Sequence, residues 1–186
     1  SPGPVKPPGP SKTDLTAQKA RITGHLAVTL PNVLTGSKDI EVRSVHQVRT
    51  WDILVVMIGY RDASGAVRSL VVTISGTQAA KLGFSLEDSC EPDRKAAGGL
   101  DADIPGVTSG VPVDCVKLPQ GDGSTVVVTG TVPSLPPGDV EPGRDATAYR
   151  TDGTSVTVST GAGDGGSRPA DDQLIRVVTD PELDLR

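Results

Sequence analysis

Cys90 and Cys115 are the residue pair in this chain whose chemistry the sequence constrains most. They are its only cysteines, and between them runs a polar stretch rich in Gly, Pro and Asp. Three chemistries compete for such a pair. A structural zinc site needs four ligands, usually with cysteines two to four residues apart, and these two lie much farther apart with no histidine nearby. Thiol redox catalysis favours Cys-X-X-Cys, which is absent. A cysteine nucleophile needs a histidine partner, and His25 or His46 would have to reach it in space. A single structural disulfide is the simplest reading, and it implies an oxidising, extracytoplasmic setting. In the chain-entropy picture, closing a loop of this length stabilises the fold by about 3.5 kcal/mol.

Other constellations are weaker. Gly106 to Gly110 (GVTSG) places its serine out of register with the Gly-X-Ser-X-Gly elbow of α/β-hydrolases. His25 falls in a helical segment and His46 on a strand, which favours packing or surface roles over general-base work. Neither HExxH nor a Walker A loop is present. The Gly161–Gly166 run, GAGDGG, lacks the spacing of a dinucleotide fingerprint and reads as a connector. Asp101 and Asp103, and Asp164, Asp171 and Asp172, are oxygen donors on loops without the EF-hand spacing. No catalytic, cofactor-binding or metal-ligating residue is therefore assigned.

Composition narrows the function classes. The chain has 186 residues and a net charge of −5, with aromatics at only 2 %. An acidic, aromatic-poor chain offers neither a footprint for phosphates nor stacking platforms for bases, so nucleic acid is not an expected partner. The longest apolar run, Ile53–Ile58, is too short to span a bilayer. Contact with a membrane is expected only through an N-terminal anchor absent from this chain, and no signal peptide is seen.

The elements that must position these residues follow from periodicity. Residues 1–12, SPGPVKPPGPSK, read as a Pro-rich flexible tether. Residues 13–186 read as a single α+β domain. Leu15, Ile22, Leu26 and Leu30 mark one face of a helix over Thr13–Leu30, capped by Thr13 or Asp14 and stopped by Pro31. Residues 40–50 read as one strand or two with an irregularity. Trp51–Tyr60 and Val67–Ile74 form a hairpin with nearly continuous apolar runs, as expected for a sheet centre covered on both faces. A short helical turn follows at Ser75–Leu82.

Residues 85–112 lose periodicity and read as a long disulfide-closed loop. Two further hairpins follow, Val113–Leu118 with Thr125–Val132, and Ala146–Arg150 with Thr154–Thr160. They turn at Gln120–Gly123 and Asp152-Gly153. A short helix, Gln173–Thr179, is capped by Asp171 or Asp172. The sum is an antiparallel sheet of about six strands in three hairpins, with an N-terminal and a C-terminal helix packed on one face and one disulfide.

The order Cys115, Leu118-Pro-Gln-Gly-Asp-Gly-Ser-Thr, Tyr149-Arg-Thr-Asp-Gly-Thr-Ser-Val-Thr-Val and Asp172-Gln-Leu-Ile-Arg-Val-Val-Thr-Asp-Pro-Glu-Leu resembles the extracytoplasmic parts of uncharacterised lipoproteins and membrane-anchored secreted proteins of Streptomyces-type actinobacteria. The resemblance implies secretion and surface attachment and brings no catalytic residues. It makes a non-enzymatic extracytoplasmic binding or regulatory domain the leading expectation, possible modulation of envelope signalling included, with an envelope protein as partner. The expected contact surface is the Cys90–Cys115 loop, with Asp93, Arg94, Lys95, Asp101 and Asp103, together with an exposed sheet edge. A secreted enzyme with a site assembled in space, or a small-ligand carrier with a cavity between sheet and helices, are the alternatives. Oligomeric state is not legible.

Overall fold

The computed structural model describes residues 14–82, 85–91, 110–133, 142–161 and 168–186. The candidate contact residues Asp93, Arg94, Lys95, Asp101 and Asp103, and the tether at 1–12, lie outside the described residues.

Helix α1 spans Thr16–Val33 and helix α2 spans Asp171–Val178. Seven strands lie between them: β1 Lys38–Gln47, β2 Ile53–Arg61, β3 Val67–Ser75, β4 Gly110–Pro119, β5 Thr125–Pro133, β6 Gly143–Tyr149 and β7 Ser155–Thr160. All pair antiparallel in the order β1-β2-β3-β7-β6-β5-β4. The expected α+β class and three hairpins are present. The seventh strand is β1, whose register shifts between Lys38 and Glu41 and between Val42 and Ser44. Those shifts break its period-two pattern, which is why the sequence left its strand count open.

Two meanders, β1–β3 and β4–β7, meet where β3 pairs with β7 from Leu70↔Thr160 to Ser75↔Ser155. Side chains alternate across the sheet, so each row of paired residues shares a face. One such row runs Leu54, Ile74, Val156, Ala148, Val126, Leu118, and the next Val56, Val72, Val158, Ala146, Val128, Val116. The buried members of both rows meet Ile22, Leu26 and Leu30 of α1 and Leu174, Val177 and Val178 of α2 in one core. Both helices therefore cover the same face. The other face carries a smaller apolar cluster of Val48, Ile53, Val55, Val71 and Ala79, with Trp51 and Met57 packed against it.

Local chemistry explains the element ends, with three departures from expectation. Helix α1 continues through Pro31 to Val33. A proline so near the end removes one donor, while Leu34 N–H still bonds Leu30 O at 2.8 Å and Leu34 is buried. At its start, the Asp14 carboxylate accepts from the Thr16 amide at 2.9 Å and the Thr16 hydroxyl at 2.7 Å. Asp171 and Asp172 do not cap α2; they sit in its first turn, favourable to the helix dipole. Ala170 precedes the helix instead, its amide donating to Gln173 Oε1 at 3.2 Å. Strand β4 begins at Gly110, so the end of the stretch expected as loop pairs in the sheet.

The three hairpin loops share one construction. Each closes with a glycine in the left-handed region, at Gly65, Gly123 and Gly153, where a side chain would be strained. In each, an aspartate (Asp62, Asp122 or Asp152) accepts from the amide and hydroxyl two residues on, those of Ser64, Ser124 and Thr154. These bonds hold all three carboxyls below the usual range, the hydroxyl contact being the largest cause in each.

The last residues form part of the core without belonging to any helix or strand. Leu183 is fully buried. Its segment is tied down by Arg150, whose guanidinium donates to Leu183 O at 2.9 Å and Asp180 O at 3.0 Å. Arg21 of α1 donates to Glu182 O at 2.7 Å and to Asp184 O. We expect Leu183→Ala to destabilise the protein by about 2–5 kcal/mol, as for a leucine deep in a core. Leu185→Ala, at a partly buried site, should cost clearly less. Urea titrations of the two variants check the contrast.

Candidate functional site

The disulfide forms between Cys90 and Cys115, with Cα atoms 5.7 Å apart. Cys115 lies on edge strand β4, in the row Met57, Val71, Ser159, Asp145, Thr129, Cys115 on the face away from the helices. Cys90 reaches it from the chain that leaves β3. That chain first makes a short 3-10 turn, Ala79–Leu82, whose Ala79 packs on Val55 and Val71. Asp52 fixes the root of the turn, accepting from the amides of Gln78 and Ala79 at 2.9 Å each. Gly76 passes so close that a Cβ there would sit 2.2 Å from Asp52 Oδ2. Residues 85–91, the strap, carry Cys90 to its bond with Cys115 of β4. The bond staples the β1–β3 part of the sheet to the β4–β7 part.

A second constellation lies on the helix face of the same strand. Arg144 of β6 stands beside Gly130 of β5, which stands beside Asp114 of β4. Gly130 has no side chain, and the gap lets Arg144 reach across β5. Its Nη1 donates to Asp114 Oδ1 at 2.7 Å and Oδ2 at 2.6 Å. Its Nε and Nη2 donate to the two oxygens of Asp171, at 2.9 and 2.8 Å, in a fork at the start of α2. The Gly130 amide also donates to Asp114 Oδ1 at 2.5 Å. Thr160 closes the row, accepting from Arg144 N–H at 2.8 Å and donating to Arg144 O.

The electrostatics follow from these contacts. The hydrogen bonds from Arg144 are the largest cause holding both Asp114 and Asp171 below the usual carboxylate range. The two carboxylates in turn raise the guanidinium, Asp171 contributing most. This is a clamp joining edge strand, sheet and helix. All its polar atoms point at one another, so its chemistry is positioning rather than proton transfer.

The two histidines lie on opposite sides of the sheet. His25 belongs to α1 and its Nε2 is 2.6 Å from Asp180 Oδ2, in a half-buried contact between α1 and the segment after α2. His46 lies on β1 opposite Val55, on the outer face. The fold does not bring them together, nor does it place either beside the disulfide. Between the β4–β5 turn and the end of α2 is an open pocket of about 190 Å3, lined by Gln120, Asp122, Ser124, Arg150, Val178 and Thr179 among others. The space between sheet and helices, by contrast, is filled with leucine, isoleucine and valine. Among the described residues there is no group of three or more His, Cys, Asp or Glu arranged to hold a metal ion.

Both sheet edges carry features that disfavour an added strand. Strand β1 has two register shifts and Asp39 at φ 51°. Strand β4 shifts register between Pro112 and Asp114, ends at Pro119 and presents Lys117. Beside them β4 exposes two apolar side chains, Val113 at 54 % and Val116 at 48 %.

Comparison with protein-family models, with curated proteins and with solved structures finds no match. Among the described residues no helix is long and apolar enough to cross a membrane. The disulfide is compatible with an extracellular location.

The Arg144 clamp predicts a pH dependence. A carboxyl whose folded pKa is depressed stabilises the fold above its unfolded pKa, and that contribution is lost as pH falls through the folded value. We therefore expect the clamp to act fully at neutral pH and to fail below about pH 4. Arg144→Met should cost roughly 1–2 kcal/mol at pH 7, a modest figure because both carboxylates are half-exposed. The gap to wild type should shrink in acid, as read by denaturation across pH. Gly130→Ala, whose Cβ would lie 2.8 Å from Asp114 Oδ1, should reproduce part of that loss with Arg144 intact.

Proposed function

We propose that this chain is a non-enzymatic, extracytoplasmic, surface-tethered domain that binds another protein of the cell envelope and regulates it. The observation that carries the reading is the disulfide. It pins both ends of residues 91–114 at edge strand β4, beside the exposed Val113 and Val116. Asp93, Arg94, Lys95, Asp101 and Asp103 belong to this stretch, and contact surfaces are commonly built on loops. The strand edges themselves, blunted by register shifts, prolines and charge, make side-chain contact the mode of binding rather than strand addition.

The resemblance of the last seventy or so residues to surface lipoproteins of actinobacteria supports the same compartment, with the Pro-rich N-terminus as tether. The histidine pair offers little to the alternative of a secreted enzyme, because the fold separates His25 from His46 and engages His25 with Asp180.

Two measurements test the reading. In the native host, Cys90 and Cys115 should resist a thiol reagent until a reductant is added; two free thiols would defeat the extracytoplasmic assignment. A photo-crosslinking amino acid at Arg94 should give one discrete adduct on intact cells. Asp101→Lys with Asp103→Lys should abolish it. Failure to form any adduct would count against partner binding through this stretch.

A further inference from the structure

The outer face of the sheet is built differently from the helix face. Its central row runs Val55, Thr73, Thr157, Thr147, Val127, Lys117 across six strands. Thr73, Thr147, Ser159 and Val127 are buried, yet three of these four carry hydroxyls. Thr147 and Thr157 bond each other at 2.9 Å, so their hydroxyls are satisfied within the sheet. The strap at 85–91 is joined to this face through Cys115, and the hydrogen bonds described for it stay within itself. Ser85 Oγ donates to Asp88 Oδ2 at 2.9 Å, Ser89 Oγ to Leu86 O at 2.7 Å and Glu91 N–H to Asp88 O at 3.1 Å. The turn that precedes it is held by Asp52 at Gln78 and Ala79. The far end of the strap is held to β4 by the Cys90–Cys115 bond.

These observations separate two layers of stability. The sheet and its two helices share the large apolar core, which includes no residue of the strap. The smaller apolar cluster on the outer face also includes no residue of the strap, so freeing the strap disturbs neither cluster. From this we infer that the disulfide is a redox latch: its reduction releases the 85–91 strap from β4 as a local event, while the sheet and helices stay folded. The reaction requires a dithiol reductant. One of its thiolates attacks one Sγ of the pair, forming a mixed disulfide and freeing the other cysteine as a thiolate, which takes a proton. The second thiolate of the reductant then attacks its own sulfur in the mixed disulfide and frees the second cysteine. Two electrons and two protons pass to Cys90 and Cys115, and the reductant leaves as its cyclic disulfide.

Hydrogen exchange read by mass spectrometry tests this on the folded protein, before and after dithiothreitol and alkylation of the two thiols. Amides in 85–91 should exchange about tenfold faster or more after reduction, with β2, β3, β7 and α2 changing little. Unchanged exchange in the strap would overturn the inference, because non-covalent contacts would then hold it. Collapse of protection throughout the sheet would overturn it equally, because the bond would then be required by the whole fold. Cys90→Ser with Cys115→Ser should match the reduced protein. Should that variant fail to accumulate, reduction of the folded wild type still decides.

Discussion

The pairing of β3 with β7 is the contact on which the rest of the structure depends. It joins residues 70–75 to residues 155–160, two segments from opposite ends of the chain. Without it there are two meanders, each with one apolar face and one helix. With it, the rows Leu54–Leu118 and Val56–Val116 become continuous and a single core forms under both helices. Such a contact carries a high loop-closure cost and repays it only when the apolar face on both sides is complete. That explains why β2 and β3 concentrate Val, Ile and Leu while the outer strands β1 and β4 carry charge and register shifts.

Once the two meanders are joined, their distant ends must also be held. Three devices do so, each at a different level. The disulfide ties the chain after β3 to β4. The Arg144 clamp links β4, β6 and the start of α2 on the helix face, through the gap left by Gly130. The C-terminal segment, with Leu183 in the core and backbone carbonyls held by Arg21 and Arg150, closes the end of the helix layer. Arginine serves in all the polar cases because its planar fork can satisfy two acceptors in fixed directions. With so few aromatic residues to fill volume, the protein uses many aliphatic side chains for the core and directional polar contacts for its margins.

This division of labour bears on function. The helix face is occupied by the protein's own core, while the outer face carries a smaller apolar cluster and the disulfide. The β4 margin exposes Val113 and Val116, and the proposed binding surface rests on these side chains.

Several elements were legible in the residues themselves. Leu15, Ile22, Leu26 and Leu30 announce the buried face of α1, and alternating or continuous Val/Ile/Leu runs announce β2, β3, β5 and β7. Asp-Gly pairs announce two turns, and two lone cysteines announce their own bond. These are local or nearly local signals, set by side-chain period, turn stereochemistry and thiol chemistry. Tertiary structure alone decided the order of strands, the seventh strand's irregular register, the passage of α1 through Pro31 and the burial of Leu183. It also decided the clamp of Asp114, Arg144 and Asp171, whose members lie 30 and 27 residues apart and share no motif. Pairing between distant strands is fixed by which apolar faces can be completed together. That is a property of the whole sheet, and no single stretch of sequence carries it.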